Sequence, residues 1–491
     1  MALAYPDDSL ALHTDAYQLS MMQTYFMKGI YERKAVYEMH FRKMPFQNGY
    51  AVFAGLERVV NFLSGLHFSQ SDLDYLRSTG EFNEDFLNYL KNWRFKGTVR
   101  MPSEGDVVFN NEPIVQVEAT VFDAQLIETP LLNIINYQTL IATKASRIRS
   151  VVGDQTLMEF GSRRAQEMDA ALWGTRAAYI GGFNATSNVR AGKLFGIPIS
   201  GTHAHSLVQV YRNDYEAFKA YAQTHRDVVF LVDTYDTLRS GVPAAIRVAQ
   251  EMGDKINFIG VRIDSGDLAY VSKGVRKMLD EAGFPDASIV ASNDLDESTI
   301  KSLKFQGAKI DTWGIGTKLI TAYDQAALGG VYKVVSVEDE NGDMTDTIKI
   351  SGSAEKISTP GQKQVWRITR NSDGKSQGDY IALWDEDPTN LPDGLYMFHP
   401  SYPYLNKTVV DYTARPILQD IFVDGELVYE LPTLDEVRSF AQHHINSLYS
   451  EYRRDMNPQE YPVDLSQDAW DHKMNLIKKS RAYVDEISKN N

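Results

Sequence analysis

The stretch IPISGTHAHSLVQV, residues 197–210, places two histidines two positions apart after a short apolar run. Side chains two apart on extended chain share a face, so His203 and His205 have the spacing of a metal-binding pair at a strand end. A zinc site needs further ligands, usually histidines from later strands. The histidines are His13, His40, His67, His203, His205, His225, His399, His443, His444 and His472. None lies between 226 and 398, where most of the remaining strands of the same domain fall. The metal-hydrolase reading therefore lacks its ligands. A single acid, base or nucleophilic histidine remains. A hydrogen-bonded strand-end residue is the ordinary reading of the other.

Polar clusters follow other apolar runs in the same region. EFGSRRAQ offers Arg163 and Arg164 to an anion. Neighbours on extended chain point opposite ways, so one of them enters a site, and Arg163 is the candidate. GVRIDSGDL holds Arg262, Asp264, Ser265, Gly266 and Asp267. An arginine there can take a carboxylate in bidentate fashion, and Asp264 or Asp267 can hold sugar hydroxyls or a hydrated Mg²⁺. The plainer reading is an Arg–Asp pair with Asp267 capping the next helix. Residues 292–294, Ser-Asn-Asp, can assist or cap, and a cap is favoured for Asp294. DTYDT offers Asp233 and Asp236 with the same two readings. In TWGIGTKL, the freed amides of Gly314 and Gly316 with the Thr317 hydroxyl suit a phosphate. A tight turn needing glycine for geometry alone is the alternative.

These residues need a scaffold that brings strand ends together. From about 156 to 335 short apolar runs recur every 20 to 40 residues with helices between several of them. VPAAIRVAQEMG, LAYVSKGVRKMLDEAG and DESTIKSLKFQG are amphipathic and stop at Gly253, Gly283 and Gly307. Such alternation means βα units with parallel strands, and about seven of them point to an irregular (β/α) barrel, with an open sheet as runner-up. Residues 1–150 read as an N-terminal α/β domain ending in a buried linking helix, with Thr129 as N-cap and Pro130 at its first position. Residues 151–335 are the barrel. Residues 336–491 are hairpins and helices, with Asn-Gly and Asp-Gly turns in KVVSVEDENGDMTDTIKIS, VWRITRNSDGKSQGDYIALW and DIFVDGELVYEL.

Composition limits the partners. The 491 residues carry a net charge of −15, against a broad nucleic-acid face, so cations for an anionic ligand must be local. With no cysteine there is no disulfide, thiolate metal site or thiol nucleophile. The N-terminal stretch has no basic segment followed by an apolar one, and no apolar run reaches membrane-spanning length, so a cytoplasmic protein is expected.

The motifs LHTDAYQLSMMQTYF, EFGSRRAQ, GGFNATSNVRAGKLFGIPISGTHAHS, GVRIDSGDL, SNDLDE, GIGTKLI and GGVYKVV run in this order through most of residues 8–335. In that combination the chain resembles the nicotinate phosphoribosyltransferases. The resemblance implies an irregular α/β barrel with an N-terminal α/β domain, often dimeric, each site completed by the partner. It implies transfer of a phosphoribosyl group from 5-phosphoribosyl 1-diphosphate to nicotinate, giving nicotinate mononucleotide and diphosphate in NAD salvage. It further implies ATP hydrolysis coupled through a phosphohistidine, here His205, and use of Mg²⁺. The family's nicotinate contacts fall on Tyr17, Thr202 and Arg262, its phosphoribosyl contact on Thr317, and a ribose and diphosphate residue on Asp264. His203 receives no role.

The charges fit that chemistry. Arg163, Arg164, Arg190, Lys193, Arg262 and Lys318 flank the strand-end motifs. Tyr17 can stack on a pyridine ring, and Asp264 can stabilise positive charge building on the ribose. Relatives acting on quinolinate or nicotinamide would want more cations or an acidic acceptor. A Schiff-base lyase or isomerase would want an inward lysine, for which these strands give no clear position. A non-catalytic scaffold would not need polar strand ends in register.

Overall fold

A computed structural model describes residues 9–352 and 357–490. Residues 1–8, the start of the stretch read above as lacking a secretion signal, lie outside them. The chain forms two compact units, one of residues 1–140 and 327–491 and the other of residues 141–326. The boundary falls inside helix Glu128–Val152. That helix starts at Glu128 rather than after a Thr129 cap, and the Thr129 hydroxyl donates instead to Asp15 (2.8 Å).

The first unit is built on a seven-stranded sheet in which Lys34–Phe41 pairs antiparallel with Val115–Thr120 on one side and Gly330–Glu338 on the other. Thr98–Met101 and Gln419–Val423 extend it. Strands from both ends of the chain thus share one sheet, and residues 1–140 and 327–491 form one compact unit, with breaks near the expected 150 and 335. GGVYKVV is not a barrel strand; it serves this sheet. Its core includes Phe41, Phe53, Phe86, Val115 and Phe122, all fully or nearly fully buried. The three expected hairpins are present, joining Gly330–Glu338 to Met344–Asp346, Lys363–Arg370 to Ser376–Leu383, and Gln419–Val423 to Glu426–Leu427. Arg367, fully buried in the second hairpin, is held between Asp106 and Asp379, each at 2.6 Å. A charge so placed is tolerable only with every donor paired.

The second unit carries six parallel strands: β1 (Thr156–Glu159), β2 (Ala185–Thr186), β3 (Asp227–Leu231), β4 (Asn257–Ile263), β5 (Ser288–Ala291) and β6 (Thr312–Ile315). Their order is β2-β1-β6-β5-β4-β3. Because β1 pairs with β6, the strands follow each other in cyclic sequence, as in a (β/α) barrel, and curl accordingly. The segment IPIS contributes only a bridge from Ile199 to Thr186. Between Ile199 and β3 the barrel has an open seam. Helices Glu167–Ile180, Val242–Met252, Leu268–Glu281 and Glu297–Phe305 supply the crossovers. The last three are the amphipathic helices expected from spacing.

One irregularity aims the site. The β3–β4 register skips Ile259, so that Val228 faces Phe258 and Val229 faces Gly260. A side chain at Gly260 would put its Cβ 1.9 Å from the Ser288 carbonyl oxygen, so glycine alone fits. The bulge shifts the alternation by one residue. Val261 and Ile263 then enter the core, and Arg262 between them is half-buried at the strand end.

Candidate active site

At the C-terminal ends of β3, β4 and β5 the expected residues meet. Arg262 donates from Nε to Ser292 Oγ (2.8 Å), from one terminal nitrogen to Thr202 Oγ1 (3.1 Å) and from the other to Asp264 Oδ1 (3.1 Å). Ser292 also hydrogen-bonds Asp264 Oδ1. The guanidinium lies 5.4 Å from the centroid of the Phe160 ring, which spacing and periodicity did not single out. Ser292, buried at the end of β5, is the member of Ser-Asn-Asp that enters the site. Asp294 is exposed, and the cap of helix Glu297–Phe305 is Asp296, which accepts from the Thr299 amide. Asp267 caps Leu268–Glu281 through the Tyr270 amide, as expected.

His205 opens helix His205–Tyr211, and its Nε2 lies 3.0 Å from Asp233 Oδ1. A carboxylate only accepts, so in the neutral ring Nε2 carries the proton and Nδ1 keeps a lone pair. The other oxygen of Asp233 accepts the Asp264 amide (3.0 Å) and the Ser265 hydroxyl (2.6 Å). Asp233 therefore ties the end of β3 to the end of β4 while orienting the histidine. The residue motif offered Asp233 and Asp236 equally; Asp236 instead accepts the Leu238 and Arg239 amides.

His203 has a different task. It is buried, its Nε2 accepts the Leu231 amide of β3 (3.1 Å), and Nδ1 faces the Ala204 carbonyl (3.3 Å). Leu231 lies on the edge strand at the open seam, so the imidazole satisfies an amide that no neighbouring strand reaches. Burial pulls its pKa down to about 4, which keeps the ring neutral and able to accept.

Arg163 and Arg164 stand in a 3₁₀ turn, Ser162–Arg164, not on extended chain. Both are therefore exposed, and the expectation that one turns away does not hold. Neither side chain has a hydrogen-bond or ion-pair partner among the described residues. The same is true of Arg190 and Lys193 on helix Val189–Phe195. Lys318 is committed to Asp296 at 2.6 Å. Gly314 is buried, and a Cβ there would meet the Phe160 ring at 2.5 Å. Packing against Phe160, rather than a phosphate, accounts for that glycine. Gly316 and Thr317 lie at the turn into helix Thr317–Ile320, with Gly316 against the Phe160 carbonyl. Gly266 adopts a φ of 81° in the turn after β4. Tyr17 belongs to the first unit, half-exposed in the first turn of helix Ala16–Met27; partial burial, then Glu128 and Asp15, raise its pKa.

No group of three or more His, Asp or Glu suited to a metal occurs among the described residues. Mg²⁺ bound mainly by substrate oxygens and water needs only one or two carboxylates. Asp264 fits that requirement, since only its Oδ1 is engaged.

Strand ends of this kind, with a histidine–carboxylate dyad and a braced arginine, belong to an α/β enzyme that handles anions. Residues 12–136 match the nicotinate phosphoribosyltransferase (NAPRTase) N-terminal domain, residues 155–357 the nicotinate phosphoribosyltransferase (NAPRTase) family, and residues 362–473 the nicotinate phosphoribosyltransferase C-terminal domain. A nicotinate phosphoribosyltransferase of Bacillus subtilis (strain 168) is 58% identical over 482 residues, covering 98% of each chain. One of Dictyostelium discoideum is 36% identical over 95% of this chain and 88% of its own. The crystal structure of human nicotinic acid phosphoribosyltransferase superposes with a TM-score of 0.82 at 30% identity, covering 94% of this chain and 99% of that one. The chain belongs to the nicotinate phosphoribosyltransferase family.

Proposed function

We propose that the chain joins nicotinate to 5-phosphoribosyl 1-diphosphate, releasing nicotinate mononucleotide and diphosphate, in NAD biosynthesis from nicotinate. ATP hydrolysis is coupled to the transfer through His205. The observation that carries this reading is the His205–Asp233 pair beside Arg262. The Nδ1 lone pair attacks the γ-phosphorus of ATP, the bond to the ADP oxygen breaks, and Asp233 balances the charge on the imidazolium. Arg262 and Thr202 receive the nicotinate carboxylate against Phe160. Thr317, Gly316 and the cations Arg163 and Arg164 take the phosphates, and Ser265 and Gly266 shape the ribose end. Asp264 opposes positive charge developing at the anomeric carbon. Asp264 would hold Mg²⁺, which would supply charge neutralisation at the diphosphate when bound.

The enzyme works in the cytoplasm as a homodimer with shared sites. No described helix is long and apolar enough to cross a membrane.

The test is incubation with ATP labelled in the γ-phosphate. Acid-labile label on the wild type, absent from His205→Ala, is expected. Label that survives in the variant removes His205 from the role.

A further inference from the structure

Glu159, the last residue of β1, is 1% exposed. It bonds to no lysine, arginine or histidine among the described residues. Its partners are the Thr186 hydroxyl (2.6 Å), the Thr175 hydroxyl (3.0 Å) and the Gly161 amide. Burial raises its pKa, while the three donors oppose that shift. A carboxyl so placed opposes folding unless its oxygens are satisfied, and an apolar side chain would carry no such cost. What the carboxyl adds is a simultaneous tie to two segments.

The first segment begins at the Gly161 amide and turns through Ser162–Arg164. The second begins at Thr186, whose hydroxyl also accepts the Asn188 amide (2.9 Å). The Asn188 side chain then accepts the Ala191 amide (3.0 Å), capping helix Val189–Phe195. Arg163 and Arg164 ride on the first segment, Arg190 and Lys193 on the second.

We propose that Glu159 is a positioning residue, a buried node that sets the spacing between two cation-bearing segments so that they grip the diphosphate-bearing cosubstrate together. The proposal rests on the phosphoribosyl-transfer reading. It differs from a packing role, which would affect how much protein folds but not how the folded protein binds an anion.

The test uses the full-length chain, with calorimetric titration by inorganic diphosphate and steady-state KM values. Glu159→Ala is expected to raise the Kd for diphosphate and the KM for 5-phosphoribosyl 1-diphosphate by about tenfold or more, with a much smaller change in kcat. Thr186→Val keeps the carboxyl and the side-chain shape but removes the hydroxyl that joins Glu159 to the Asn188 amide. It should raise the same constants by a smaller factor, and it serves alone if the alanine variant does not fold. A lowered Tm with Kd and KM unchanged in the soluble variants overturns the proposal. A wild type that forms no nicotinate mononucleotide yet loses diphosphate binding in the variants would instead count against the catalytic reading.

Discussion

His205 Nε2 stands 3.0 Å from Asp233 Oδ1, and the carboxylate is 2% exposed while the imidazole is 39% exposed. One partner is locked in the protein and the other is open to a ligand. The buried acid thus sets the tautomer that leaves Nδ1 free. Asp233→Asn keeps the size but removes the charge that balances an imidazolium. Phosphorylation of His205 by ATP should slow by about a hundredfold or more, measured by quenched-flow labelling. Labelling at the wild-type rate would take Asp233 out of the relay.

Arg262 uses all three nitrogens on Ser292, Thr202 and Asp264, so its plane is fixed before a ligand arrives. Arg262→Ala should weaken nicotinate binding by roughly 1.5–3 kcal/mol, a rise of about one to two powers of ten in KM. Arg262→Lys should not rescue it, because one ammonium cannot replace a planar fork. An unchanged nicotinate KM in either variant would place the carboxylate elsewhere.

Much of this was legible from residue types. The helix stops at Gly253, Gly283 and Gly307, the three hairpin turns, and Arg262 and Asp264 at a strand end follow from local pattern, while Thr202 and the choice of His205 over His203 came from the family resemblance. The rest depended on distant partners. His203 cannot be assigned until Leu231 is known to lack a strand neighbour. Gly314 looks like a phosphate glycine until Phe160 is seen against it. Gly330–Glu338 reads as one more barrel strand because its alternation does not reveal that its neighbour is Lys34–Phe41. Two arginines on a 3₁₀ turn and two on extended chain have the same sequence.

Gly314→Ala tests the packing account. The added methyl would press on the Phe160 ring that faces Arg262. Overpacking of this kind costs about 1–3 kcal/mol. The expected result is a lower Tm together with a raised nicotinate KM, since the displaced ring lines the same pocket. If a phosphate sat at Gly314 instead, the KM for 5-phosphoribosyl 1-diphosphate would rise and the Tm would hold.

The seam histidine makes the second unit sensitive to acid. In the unfolded chain His203 titrates near 6.5, and in the fold near 4. Between those values the unfolded state binds more protons, so stability falls as pH drops through this window and the loss is complete below about 4. The contribution is on the order of 3 kcal/mol at the acid end. His40 and His444 of the first unit, lowered to about 4 mainly by burial, slope the same way and must be subtracted. The measurement is therefore a difference: urea unfolding of wild type and His203→Gln from pH 7 to pH 4.5. Glutamine can offer an oxygen to the Leu231 amide but does not titrate. Its stability should fall less steeply over this range than that of the wild type. Parallel slopes would mean that His203 is not the group that protonates, and that something else closes the seam at β3.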